Sequence, residues 1–241
     1  MKKILKKVTL TGADDSVSPS DLVHLSNKYP FVEWGILASR SSQGEVRYPS
    51  TKWRQSLFDM WESHTSLHLS CHICGAWMRH ICDGNWSILK IFNETFDMFE
   101  RLQFNFKNMI PEINEKMFFD GLDNDRLYFK QFIFQCAHFD EQLLQSAKDS
   151  EIDAVGLFDL SGGRGTLPTE WPTSNGYCGY AGGLSPINLK EQLTLIENKV
   201  DHEIWIDAET HLRSENDSRF DLNKVEDFLK ISSEWVKNDL L

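Results

Sequence analysis

The chain has 241 residues, 41% of them hydrophobic and 25% charged, with 14 Gly and 7 Pro. That composition excludes collagen-like, low-complexity and wholly disordered polypeptides. Its 25 Lys and Arg against 36 Asp and Glu give a formal net charge of −11, a field that repels phosphodiester backbones. With no basic patch beyond the first seven residues, a nucleic-acid partner is not expected. The opening Met1-Lys-Lys-Ile-Leu-Lys-Lys7 imitates the basic start of a secretory signal, but the following residues turn polar at once. No apolar run of seven or more follows, and none is long enough to span a bilayer. Cys71, Cys74, Cys82, Cys136 and Cys178 are odd in number and thinly spread, which predicts free thiols in a reducing compartment. A soluble cytoplasmic protein with no membrane partner is expected.

In chain order, a strand is predicted over residues 4–10. A helix follows, its start marked by Ser18-Pro-Ser-Asp21, which sets capping residues and a proline ahead of an apolar face. A strand over 31–38 precedes a helix beginning at Ser50, where Trp53, Leu57 and Trp61 fall on one stripe. Strand 66–72 comes next; 75–85 reads as a loop or a broken helix, and 86–99 as a helix. Strand 101–106, helix 111–119, strand 127–134, helix 140–147 and strand 154–160 continue the alternation. After a long loop at 162–174 come strand 176–181, helix 186–198, strand 203–208 and helix 222–236. The charged stretch 201–221 otherwise reads as solvated loop. Strands alternating with helices require a parallel sheet covered by its crossovers. Eight such units in this length predict a single closed (β/α)8 TIM barrel over residues 1–241, not an open doubly wound sheet. Functional groups then belong on the loops after the carboxyl ends of the strands.

Two of those loops are rich in glycine: Phe158-Asp-Leu-Ser-Gly-Gly-Arg-Gly-Thr166 and Tyr180-Ala-Gly-Gly-Leu-Ser-Pro-Ile-Asn-Leu189. Gly162, Gly163, Gly182 and Gly183 expose backbone N–H groups and allow close approach of an anion. Ser185-Pro186 marks a helix start, whose free N–H donors suit phosphate. The alternative is that these glycines only turn a strand into a helix.

These segments resemble the phosphoribosylanthranilate isomerase family. Ala181-Gly-Gly-Leu-Ser-Pro-Ile-Asn188 is similar to that family's signature, and Phe158–Thr166 to its aspartate, serine and glycine-rich segment. Weaker matches keep the same order: Thr9-Leu-Thr-Gly12, Val46-Arg-Tyr48, Leu102-Gln-Phe104 and Trp205-Ile-Asp207. The resemblance implies a barrel of the ribulose-phosphate-binding type that performs an Amadori rearrangement, an aldose–ketose isomerisation of a phosphoribosylated amine in tryptophan biosynthesis. It implies Asp159 as general acid and Arg47 as anchor for a carboxylate. It implies Gly162, Gly163, Gly182, Gly183 and Ser185 as binding residues for a phosphorylated small molecule, with no cofactor and no metal. Asp159 read alone also suits a turn or cap, and Arg47 a solvated loop.

Two positions depart from the family. Thr11 stands where its catalytic cysteine would be, and an aliphatic alcohol is no comparable base; Asp14 and Asp15 follow closely enough to be substitutes. His211 replaces a phosphate-binding glycine while Glu209 adds negative charge, for which Arg213 or Arg164 would have to compensate. The alternative function is therefore a non-isomerase barrel that binds a phosphate ligand, or a protein, without the parental reaction. A third reading, a metal-assisted epimerase or lyase, rests on His68-Leu-Ser-Cys-His-Ile-Cys74. On a strand, His68 and His72 share one side and Cys71 takes the other. Trp34 and Trp171 stand apart from the helical tryptophans, and Trp171 is placed to fold over a ligand or to stiffen a proline-rich loop. Monomer and homodimer both remain open.

Overall fold

A computed structural model of the chain describes residues 2–106, 113–125, 129–139, 141–237 and 240. Eight parallel strands close into a ring in sequence order: β1 Leu5–Thr11, β2 Val32–Ala38, β3 Leu69–Ile73, β4 Arg101–Phe104, β5 Gln131–Cys136, β6 Ala154–Phe158, β7 Cys178–Ala181 and β8 Ile204–Ala208. Closure is visible at Val8 on β1, which pairs with Val32 on one side and Ile206 on the other. The expected (β/α)8 barrel is present, and every expected strand overlaps an observed one. The anticipated first residues of β5, at 127–128, and of two helices, at 111–112 and 140, lie outside the described residues.

Among the described residues, seven α-helices surround the ring: α1 Pro19–Lys28, α2 Thr51–Trp61, α3 Gly75–Cys82, α4 Glu115–Asp125, α5 Gln142–Asp149, α6 Leu189–Glu197 and α7 Leu222–Ser232. The first begins where Ser18 and Asp21 form a reciprocal capping box that satisfies two free N–H groups. Residues 75–85 contain a full helix, α3, which buries Trp77, Met78 and Ile81. Its start escapes sequence patterning because Cys74 makes no side-chain cap and the first helical residue is a glycine. Residues 86–98 form 3₁₀ turns rather than an α-helix.

Between β6 and β7 the chain makes no helix at all over residues 159–177. Trp171 takes that place. It is buried against Phe158 of β6 and Tyr180 of β7, and its indole N–H donates to Gln192 of α6 at 2.9 Å. It is core, not a ligand cover. Trp34 is core as well, donating to Ser26 of α1 at 2.9 Å.

The barrel interior is divided. On the β5–β8 side Ile133, Val155, Leu157, Ala181 and Trp205 form an apolar cluster. On the β1–β4 side the residues are polar. Glu33 and Arg101 form a buried ion pair, joined by Lys7 at 2.9 Å and by the Thr9 hydroxyl at 2.8 Å. The Arg101 guanidinium lies 4.7 Å from the centre of the Trp205 ring. The charges of Arg101 and Lys7 overcome burial and hold Glu33 well below the usual carboxylate range. Such a pair tolerates burial only while every member is partnered.

Candidate functional site

At the carboxyl end of the ring, β8 delivers Asp207 and β1 delivers Thr11. The Thr11 hydroxyl donates to Asp207 Oδ1 at 2.8 Å. Gly35 on the intervening β2 permits the approach of β1 and β3 side chains, since a Cβ there would fall 2.2 Å from Thr11 Oγ1 and 2.7 Å from the His72 ring. His72 Nε2 is 2.9 Å from Ser70 Oγ, and its Nδ1 is 4.0 Å from Asp207 Oδ2, too far for a hydrogen bond. Burial pushes Asp207 up to about 8, helped by the charges of Glu209, Asp159 and Glu33 and opposed by the Thr11 hydrogen bond. Burial likewise pushes His72 down to about 3. At neutral pH the pair is a protonated carboxyl beside a neutral imidazole. Oδ1 is taken by Thr11, so Oδ2 is the oxygen left to carry the proton.

Asp159, just past β6, is fastened from four directions. Its Oδ1 accepts from Ser161 N–H at 2.9 Å and Ser161 O–H at 2.6 Å, and its Oδ2 from Gln135 at 2.8 Å and Gly163 N–H at 3.1 Å. Every neighbour is a donor, so the carboxyl is presented as an acceptor. The glycine loop after β7 is left-handed at Gly182 and Gly183, with φ of 109° and 69°. A Cβ on Gly183 would fall 2.4 Å from Leu167 N, which is how closely the β6–β7 excursion lies on this loop. Ser185 N–H is used within the loop, donating to Asn188 Oδ1 at 2.9 Å. His211 Nε2 reaches Gly165 O at 2.8 Å and ties the loop after β8 to the loop after β6.

Arg47 is not a free anchor. It sits in a left-handed backbone conformation (φ 74°), secured by its N–H to Asp14 Oδ2 at 2.7 Å. Its side chain pairs with Glu209 at 2.7 Å and Asp217 at 2.9 Å. Arg213, expected in solvated loop, is buried; it pairs with Asp14 at 2.8 Å and Asp217 at 2.6 Å and donates to Gly12 O. Asp14 is thereby committed to structure: burial raises it, but hydrogen bonds from Ser16 and Arg47 and the charge of Arg213 leave it below its ordinary value. Asp15 accepts from the backbone and hydroxyl of Ser50 at the start of α2, at 2.7 and 2.5 Å.

These groups border a throat of about 60 Å³, lined by Asp159, Asp207, Glu209, Gln103, Gly182 and Gly183 among others. It shares Asn105, Gln135, Gly163 and Glu209 with a larger wing of about 420 Å³ toward β2–β4, where Arg47 and Gly162 lie. Neither Asp14 nor Asp15 lines the throat or the wing. Of the residues expected from sequence, Asp159, Gly163, Gly182 and Gly183 meet in the throat, with Thr11 behind Asp207. Gly162 and Arg47 border the wing, and Ser185 borders neither cavity.

No family model matches the chain, and no curated protein matches it by sequence. The likeness is one of fold. The chain is similar to a monomeric form of the dimeric phosphoribosylanthranilate isomerase from Thermotoga maritima, with TM-score 0.53 and 13% identity over 95% of this chain and 99% of the other. It is similar to phospho-2-dehydro-3-deoxyheptonate aldolase (DAHP synthase) from the same organism, with TM-score 0.53 and 12% identity over 95% of this chain and 68% of the other. Both support the TIM-barrel architecture and nothing finer. Among the described residues no helix is long and apolar enough to cross a membrane.

Sequence reasoning named Asp207 and Gln103 only as weak strand matches and did not single out Asn105 or Gln135, which also line the throat. Asp207 takes its hydrogen bond from Thr11, 196 residues away. Gln103 on β4 is 4% exposed and donates from Nε2 to Asn105 Oδ1 at 2.9 Å. Asn105 in turn donates to Cys74 Sγ at 3.0 Å, which fixes its orientation and hence that of Gln103. Gln103 Oε1 is left buried with no hydrogen-bond partner among the described residues, an arrangement that costs about 1–3 kcal/mol. His68 and His72 part company: His68 precedes β3 and pairs with Glu100 at 3.1 Å, whereas His72 faces the throat. Among the described residues no group of three or more His, Cys, Asp or Glu is arranged to hold a metal.

Proposed function

We propose that this barrel is an acid–base enzyme of the intramolecular isomerase type, acting on a small sugar-like substrate different from phosphoribosylanthranilate. Asp207 carries the reading: a buried carboxyl at a strand end that holds its proton at neutral pH, fixed by Thr11, and borders the same throat as Asp159. In this scheme Asp207 Oδ2 gives a proton to the substrate carbonyl oxygen as Asp159 takes one from the adjacent carbon, so that the C–H electrons form a C=C bond, the C=O π electrons form the new O–H bond, and an enediol results. Asp159 then returns its proton to the former carbonyl carbon while the adjacent hydroxyl gives its proton back to Asp207, which completes the isomerisation, restores both carboxyls and needs no redox partner. Thr11 orients Asp207 rather than acting as a base.

Deuterium wash-in tests this reading. Protein in D2O is incubated with glucosamine, ribose and ribose 5-phosphate, and exchange at the carbon next to the carbonyl is followed by NMR. We expect exchange with at least one of these that falls about 10²–10⁴-fold in Asp207→Asn, and that declines above pH 8 as Asp207 loses its proton. Folded protein that exchanges none of them rejects catalysis of this kind.

A second reading, a barrel that binds a phosphate ligand without turnover, is favoured by the left-handed glycines Gly162, Gly163, Gly182 and Gly183, which let backbone donors approach an anion. A thermal shift with inorganic phosphate, without exchange of any sugar, would support it over the first.

A further inference from the structure

The throat is chemically one-sided. Asp159, Asp207 and Glu209 line it, and no lysine or arginine does among the described residues. Arg47, which pairs with Glu209 of the throat, is already held by Glu209 and Asp217. The remaining imbalance is independent of those acids: Gln103 Oε1, buried and without a donor, on a side chain whose other end is held by the Asn105–Cys74 chain. Gln103 is one of the residues lining the throat, and an unpaired acceptor beside carboxyls calls for a ligand that brings donors and positive charge. A phosphate would bring neither.

From this we infer that the throat takes the ammonium group of a small amine-bearing ligand, with Gln103 Oε1 as its first acceptor and Asp159 and Glu209 as its counter-charges. The inference rests on the throat being the ligand site of the function proposed above, and it assigns the substrate class: a sugar or polyol carrying a primary amine. About 60 Å³ suits the amino end of such a molecule, and the adjoining wing of about 420 Å³ holds the rest. Affinity should also depend on pH. The groups facing Asp207 are Thr11 on β1, Glu33 on β2, His72 on β3, Arg101 on β4, Asp159 after β6 and Glu209 after β8. Loss of the Asp207 proton near pH 8 adds a negative charge among them. A primary alkylammonium, like the lysine side chain, stays charged to about pH 10.

The test is an NMR titration of the full chain with ethylammonium and with ethanol, reading the Gln103 side-chain amide and the Gly182 and Gly183 backbone signals. The expected result is binding of ethylammonium at least about tenfold tighter than of ethanol, tightening further from pH 7 to 9. Gln103→Leu should abolish most of that preference, and Glu209→Gln, as a second variant, should reduce it. Equal affinities, no binding of ethylammonium, or a preference that survives in Gln103→Leu overturns the inference, as does tighter binding of inorganic phosphate at the same signals. Because binding is read without turnover, amine binding with no deuterium exchange would sink the proposed catalysis alone. Exchange of neutral sugars with no amine binding would sink this inference alone.

Discussion

Strands β5–β8 fill their side of the barrel with Ile133, Val155, Leu157, Ala181 and Trp205, whereas β1–β4 fill theirs with Thr9, Glu33, Ser70, His72 and Arg101. The apolar side needs only volume and shape; the polar side holds together only while each charge and hydroxyl keeps its partner. Asp207 lies on the seam. Carried on β8 next to β1, it takes a hydroxyl from the polar side and its dry surroundings from the interior as a whole. The contrast shows how a barrel keeps one carboxyl neutral while ionising another, Glu33, deeper in the same interior: Glu33 has two cations, and Asp207 has none in hydrogen-bond contact.

The largest expected effect breaks the polar side. Arg101→Met strands Glu33 without its main partner and should cost about 3–5 kcal/mol in urea unfolding; a loss below 1 kcal/mol would mean the pair is dispensable. On the other side Leu157→Ala should cost about 2–5 kcal/mol from lost contacts and the cavity left behind. Its penalty should be the same at pH 5 and pH 8, and a penalty that varied with pH would deny the division. For Asp207 the folded value near 8 lies above the ordinary carboxylate value, so the folded state holds a proton that the unfolded state releases. Its contribution is therefore full below about pH 4 and is lost progressively as pH rises toward 8. Asp207→Asn should remove that slope, as measured by denaturation across the range. The smallest effect is at the rim: His211→Gly removes the link to Gly165 O and should cost about 0.5–1.5 kcal/mol in thermal unfolding. An unchanged melting temperature would show that the two loops are not coupled.

The ring itself was legible in sequence because each strand is a short apolar run followed by a helical stripe, and that alternation demands parallel crossovers. Helix α3 was hidden by its glycine start, and the helix-free sixth crossover showed itself only as a proline-rich loop around Trp171. At the mouth, local motifs located Asp159, Gly163, Gly182 and Gly183. They gave no sign that Arg47 is paired, because its partners Glu209 and Asp217 lie more than 160 residues away. Arg213 was misread as solvated for the same reason: within the chain it stands among charges, and only folding brings it to Asp14 and Gly12. Gln103 showed only as a weak strand match, since an unpaired oxygen is defined by what surrounds it.

The account depends most on the state of one proton. Carbon-13 NMR of side-chain carboxyls, with Asp207 assigned as the signal missing from Asp207→Asn, follows it directly. The account predicts a titration midpoint near pH 8 in the folded protein. A midpoint below pH 5 would leave Asp207 ionised at neutral pH and contradict its role as proton donor.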